Sequence, residues 1–287
     1  MINLKDTVFY QITSANKVRI GTKQSEFIHD RWVEVKFIDQ KDNYFLFEYK
    51  LLDQKMEGTA LIHQWAEDLE WFQSPLYFML DFEGKFIGMK FLNQLHERWE
   101  TTFKSKLSKK YGAKPGIKQM IAETEAILKD DKRLVSSFIG YNHFRALFQP
   151  FYKPQLPTEE LELILSQYFG TADLPIIIQK EAEGKQNITI KNKGILNHQK
   201  FNRKPLVRML KAITNTYNIK VDLAVDLEEE YIIKNGLLHQ SDLFLEAYVP
   251  DFYQVITAHQ LKIILPEKKE VETDKINRWT LPIHHGN

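Results

Sequence analysis

The chain holds 287 residues with no cysteine, and 39 Lys and Arg stand against 38 Asp and Glu. That length suits one large domain or two ordinary ones, and the missing cysteine excludes disulfides, thiolate catalysis, zinc fingers and iron–sulfur ligation together. A net formal charge of +1 gives no overall field to gather nucleic acid or anionic lipid, so either would need a local patch.

A hydrophobic fraction of 43% beside a charged fraction of 27% fits a soluble globular protein, and no stretch approaches the roughly 18 consecutive apolar residues of a membrane helix. Strand-like sequence begins at Thr7, directly after residues 1–6, without the basic start and apolar run of a secretory signal. The expected location is the cytoplasm.

Residues 8–91 alternate repeatedly. Val33, Val35 and Phe37 fall on one side of a strand, with Glu34 and Lys36 on the other. Phe45, Phe47, Tyr49 and Leu51 repeat the period-two pattern, and the polar stretch 39–43 joins the two runs as a hairpin. Residues 76–82 and 85–91 predict a second hairpin around Gly84, a residue tolerant of positive φ. Gly58 and Pro75 punctuate the stretch between, and the whole reads as an antiparallel meander whose apolar face needs a cover.

Helical sequence follows. Asn93 is the expected cap of a helix carrying Leu95, Trp99, Phe103 and Leu107, with lysines crowding its last turns. Gly112 and Pro115 stop it. Ile117, Met120, Ile121, Thr124, Ile127 and Leu128 trace a second stripe, and Leu134, Val135, Phe138 and Ile139 begin a third that runs toward Phe148. Three prolines within 150–157 mark an extended crossing. The next segment, 158–169, reads as a helix, although Leu161, Leu163 and Leu165 also alternate.

The strand pattern resumes at 176–181 and 188–191 around a turn at Gly184. Residues 202–217 read as a helix with Leu206, Leu210, Ile213 and Tyr217 on one face. Strand sequence returns at 219–224, 231–234, 237–249 and 252–265, and Asn235-Gly236 is the strongest hairpin signal in the chain. The charge run 267–275 reads as a solvated tail. The expected fold is α+β, with antiparallel strand-rich N-terminal and C-terminal halves around a central group of helices, divided into residues 1–150 and 151–287.

No glycine-rich phosphate loop, G-x-S-x-G elbow or H-E-x-x-H helix can be read from the sequence. His29, His63, His96, His143, His198, His239 and His259 are dispersed singly, without a second ligand at the spacing a helix needs to chelate a metal, and read as surface or satisfied core residues. His284-His285 are adjacent residues near a chain end and make a poor metal site, so no metal and no cofactor are expected. The basic stretches 104–114 and 200–211 coincide with amphipathic helices, whose outer faces are polar anyway, which argues against nucleic acid as a partner.

The most unusual local feature is the aromatic series Phe138, Tyr141, Phe144, Phe148, Phe151 and Tyr152. Read functionally, it is a contact surface; read structurally, its spacing packs a helix onto the sheet. With no motif that fixes a reaction, the first functional expectation is a non-enzymatic protein-binding protein, such as an inhibitor or immunity protein, adaptor or assembly component. It would bind another protein through Phe138, Tyr141, Phe144, Phe148 and Tyr152. The alternative is a carrier of a hydrophobic small molecule in a cavity between sheet and helices. A third reading is a metal-dependent hydrolase or nuclease using Asp222, Asp226 and Glu228, Glu229 and Glu230. In architecture alone, an antiparallel sheet covered by helices resembles the half-barrel shells of lipid-binding carriers, a likeness that transfers no site.

Overall fold

A computed structural model describes residues 7–148 apart from 42, 59, 83, 85 and 113, and residues 160–265 apart from 167, 170, 171 and 217–220. Eleven strands form one sheet: β1 (Thr7–Ile20), β2 (Lys23–Gln40), β3 (Phe45–Glu57), β4 (Leu76–Leu80), β5 (Phe86–Lys90), β6 (Glu160–Leu165), β7 (Leu174–Glu183), β8 (Asn187–Leu196), β9 (Ala224–Lys234), β10 (Leu237–Val249) and β11 (Tyr253–Ile264). Their spatial order is β5-β4-β3-β2-β1-β11-β10-β9-β8-β7-β6, and every neighbouring pair is antiparallel. Among the described residues the first and last strands therefore pair at the centre, and the strands on either side of residue 150 belong to one continuous sheet.

Local signals account for the hairpins. Asn235 and Gly236 both take positive φ, at 52° and 77°, as the two-residue turn between β9 and β10 requires. Gly184 turns β7 into β8 at φ +94°, where a Cβ would lie 1.9 Å from the Asn187 carbonyl oxygen. Gly184→Ala is expected to cost about 1–3 kcal/mol through backbone strain, measured as a lowered urea midpoint; an unchanged midpoint would show that the turn relaxes freely.

Seven helices accompany the strands among the described residues: α1 (Leu61–Gln73), α2 (Leu92–Arg98), α3 (Lys104–Tyr111), α4 (Ile117–Leu128), α5 (Asp131–Ile139), α6 (His143–Phe148) and α7 (Arg203–Thr214). A π-helical segment, Trp99–Phe103, joins α2 to α3. Residues four apart on an α-helix drift by about 40°, and the wider π turn takes up part of that drift. It thus helps hold Leu95, Trp99 and Leu107 in the core, where all three are buried. The cap of α2 is Phe91, in the left-handed region, and not Asn93, which lies inside the helix. Asp130 caps α5 by accepting from the backbone N–H of Lys132 and Arg133, and Asn202 caps α7 by accepting from Lys204. Asn202→Ala should lower stability by about 1 kcal/mol, read as a shift in thermal midpoint with unchanged far-ultraviolet circular dichroism.

Three expectations are corrected. Residues 61–73, between the punctuating Gly58 and Pro75 of what reads as an antiparallel meander, form helix α1. Leu61, Trp65, Leu69 and Phe72, spaced by four, four and three, give it an apolar stripe that packs on the core, and the helical period there overrides the strand pattern on either side. The segment read as a helix at 158–169 holds the edge strand β6, because pairing with β7 sets Leu163 against Ile176 and Leu165 against Leu174, and there the period-two alternation prevails. Strand β9 begins at Ala224 and runs through the acidic stretch, so residues 221–223 of the run read as 219–224 are not strand; residues 219 and 220 lie outside the described residues. The proline crossing at 150–157, Tyr217 and the charged tail lie outside the described residues.

The sequence between edge strand β5 and opposite edge strand β6 comprises α2 to α6. Helix α6 packs on β10 and β11, and α1 packs on β3. One core cluster joins inward residues of the sheet, among them Ile12, Val33, Tyr49, Phe78 and Tyr231, to Trp65, Trp99, Leu107 and Phe144 of the helical cover. Phe78 sits among the rings of Tyr49, Phe86, Phe138, Phe144 and Phe148 at centroid distances of 4.6 to 6.3 Å. A second cluster packs Leu206 and Leu210 of α7 against Ile176, Leu227, Leu245 and Val249.

Candidate functional site

Strand periodicity places a polar row inside this apolar face. Val33 is buried on the inner side of β2, and the same parity carries Arg31, His29 and Phe27 inward. The registers then align Met56 of β3, His29 of β2, Ser14 of β1, His259 of β11, Leu243 of β10, Glu229 of β9 and Asn192 of β8 in one line across the sheet. His29, Ser14, His259, Glu229 and Asn192 are all buried, so each needs a partner within the protein.

At one end the partners form a connected set. The Arg31 guanidinium donates from Nη2 to Glu70 Oε1 of α1 at 2.6 Å and from Nη1 to Ser14 Oγ at 3.0 Å. Ser14 Oγ lies 2.9 Å from His259 Nδ1. Because Arg31 can only donate, both contacts are satisfied when the Ser14 hydroxyl donates to Nδ1, which leaves the neutral ring's proton on Nε2. Gln54 donates its amide to the Glu67 carbonyl at 2.7 Å and so turns its own oxygen to His29 Nε2, 2.7 Å away. His29 is therefore protonated at Nε2.

Burial, assisted by the nearby Arg31 charge, holds both rings in the neutral form. His29 is pushed down to about 4 and His259 to about 3. His143 of α6, 3.4 Å from the Tyr49 hydroxyl, is lowered well below the usual histidine range by burial and by Arg31.

At the other end Arg145 of α6 meets Glu229 through two bonds, Nε to Oε1 at 2.5 Å and Nη2 to Oε2 at 3.2 Å. Asn192 adds a third bond to the carboxylate at 2.8 Å. The pair is sealed, with side-chain exposures of 5% and 0%. Burial works against the Arg145 charge, but the Glu229 carboxylate together with Tyr231 and Tyr141 outweighs it and holds the guanidinium above its ordinary range. Arg145 also lies over the Tyr141 ring, 5.7 Å from its centroid.

Above the first end is a cavity of about 430 Å³, partly open to solvent. Its floor is β1, β2 and β11, with Ser14, His29, Arg31 and His259. Its roof comes from α1, α4, α5 and α6, including Leu69, Phe72, Ile127, Leu134, Phe138 and Phe144. Apolar atoms make up most of the wall, and its two charged side chains, Arg31 and Glu70, meet on one side.

The aromatic residues read as a contact surface point inward. Phe138, Phe144 and Phe148 are buried, in ring contact with Phe78, and Tyr141 is partly buried and lines the cavity with Phe138 and Phe144. Tyr152 lies outside the described residues. The acidic stretch is split by strand alternation: Asp226 and Glu228 are exposed on the outer face, Glu229 is turned inward to Arg145, and Asp222 precedes the strand. Among the described residues no group of three His, Cys, Asp or Glu side chains could hold a metal ion. The polar row went unread in the sequence although β2 carried a signal for it, since the parity of Val33, Val35 and Phe37 extends to Arg31 and His29.

The fold and site define a strand-rich α+β protein with one large antiparallel sheet, a helical cover and a polar row beneath a cavity. No protein-family model and no curated protein matches the chain. A solved structure of lipovitellin, described by its lipid–protein interactions, is similar at 10% sequence identity and a TM-score of 0.49, over 92% of this chain and 26% of that one. The chain thus spans about a quarter of that chain's length, and the likeness transfers no ligand. Among the described residues no helix is long and apolar enough to cross a membrane.

Proposed function

We propose that the protein binds a small, largely apolar molecule in the cavity between the sheet and helices α1, α4, α5 and α6. The observation that carries this reading is the cavity itself: about 430 Å³, inside the range of small-molecule sites, with an apolar wall and a few convergent polar groups. Phe138, Tyr141 and Phe144, among the residues read as a protein-contact surface, stand in this wall, which favours a small molecule over a protein as the occupant. The ligand's apolar body would lie against Leu69, Phe72, Ile127 and Phe138, and its polar end would face the set around Arg31.

Native mass spectrometry of freshly isolated protein is expected to show a co-purified mass of lipid size. In a direct test, the neutral dye Nile red should bind, and Leu69→Trp, which fills the cavity from α1, should weaken it by at least about tenfold, some 1.4 kcal/mol. The reading is overturned by absence of dye binding, or by dye affinity that survives Leu69→Trp in a folded variant.

A further inference from the structure

We propose that the cavity selects uncharged ligands, and that Glu70 is the residue that keeps carboxylate-bearing molecules out. The inference rests on the ligand-binding reading above and adds the chemical class of the ligand. Among the described residues lining the cavity, Arg31 is the cation and Glu70 the anion, and they lie 2.6 Å apart with side-chain exposures of 7% and 14%. The remaining bonds of Arg31 run to Ser14 and to the His29 carbonyl, so its charge is compensated inside the wall.

The other titratable groups facing this end are His29 on β2, His259 on β11, His143 on α6, and Tyr141 between α5 and α6. Burial keeps the three imidazoles neutral and raises the Tyr141 hydroxyl well above its ordinary range. The neighbouring Arg145–Glu229 pair is likewise balanced. A wall of zero net charge accepts an alcohol, ester or amide. A carboxylate would add a second anion beside the largely buried Glu70, and the attraction of Arg31 is already matched by Glu70.

The test compares dodecanol with dodecanoate, each displacing Nile red at pH 8. Dodecanol is expected to bind at least about tenfold more tightly. Glu70→Gln leaves Arg31 uncompensated and should shrink or invert that ratio, and the double variant Arg31→Gln/Glu70→Gln, neutral again, should restore it. The proposal is overturned if dodecanoate binds the unaltered protein as tightly as dodecanol, a comparison that needs no variant to fold. An unchanged ratio in Glu70→Gln overturns it too. Failure of both ligands to bind would overturn the ligand-binding reading along with it, whereas tight binding of both without discrimination overturns the charge selection alone.

Discussion

Glu229→Ala is expected to destabilise the protein by about 3–5 kcal/mol, the cost of stranding a buried charge after its partner is removed. The carboxylate is completely buried and accepts three bonds, two from Arg145 and one from Asn192. Its removal leaves the guanidinium of α6 without a counter-ion, under the helix that joins α5 to the sheet centre. The Asn192 amide also loses that acceptor. Replacing both charges should behave differently, because a well-packed apolar pair avoids the desolvation penalty of two ions. Arg145→Met/Glu229→Leu is therefore expected to recover most of the loss. Urea denaturation of the two single variants and the double variant gives the coupling energy directly. A Glu229→Ala loss below about 1 kcal/mol would mean that water reaches the pair, since that is the scale of exposed ion pairs.

Acidification is the second large effect. His29 and His259 hold their protons only below about 4 and about 3 in the folded protein, against about 6.5 in an unfolded chain. Between those limits the unfolded state binds more protons than the folded one, so stability rises with pH and is lost as pH falls. The loss begins near pH 6.5 and ends near pH 4 for His29 and near pH 3 for His259. Each histidine kept neutral contributes up to about 1.4 kcal/mol per pH unit inside its window. His143, shifted in the same direction, adds to the slope. Unfolding free energies measured by urea at pH 7, 6 and 5 should fall steeply over a range in which ordinary carboxylates remain ionised. His259→Gln should flatten the curve, and a stability independent of pH between 7 and 5 would show that these rings titrate freely.

Much of the secondary structure was legible because its determinants are local. Period-two alternation located β2, β3, β7, β10 and β11, and Asn235-Gly236 and Gly84 located two turns. The stripes at Ile117–Leu128 and around Leu206 and Leu210 located α4 and α7. Legibility failed where local pattern and tertiary pairing disagreed. Residues 160–165 carry three leucines in alternation within a helix-permissive, glutamate-bearing stretch, and the free edge of β7 decided in favour of a strand. Helix α1 has a mixed surface because its inner face meets both the aromatic core through Trp65 and Phe72 and the polar set through Glu70. Its stripe Leu61, Trp65, Leu69 and Phe72 is short and is flanked by strand-like sequence.

The candidate site was less legible than the fold. The aromatic series stands out and admits both a contact surface and a helix packed on the sheet, since helical spacing shows that residues share a face and not which body that face meets. The histidines read as surface or satisfied core residues, and the convergence of His29, His143 and His259 is hidden because the three positions are remote in the chain. By itself the sequence determined the absence of cysteine chemistry, the near-neutral charge, the hairpins and most helices, all of which follow from composition or from contacts between close neighbours. Only the tertiary structure decided that β1 and β11 pair at the centre of one sheet. That pairing sets His259 beside Ser14, whose other neighbour is His29 of β2, and the docking of α1 brings Glu70 to Arg31. Cross-strand register and buried electrostatic compensation are relations between distant segments, and they exist only once the chain has closed on itself.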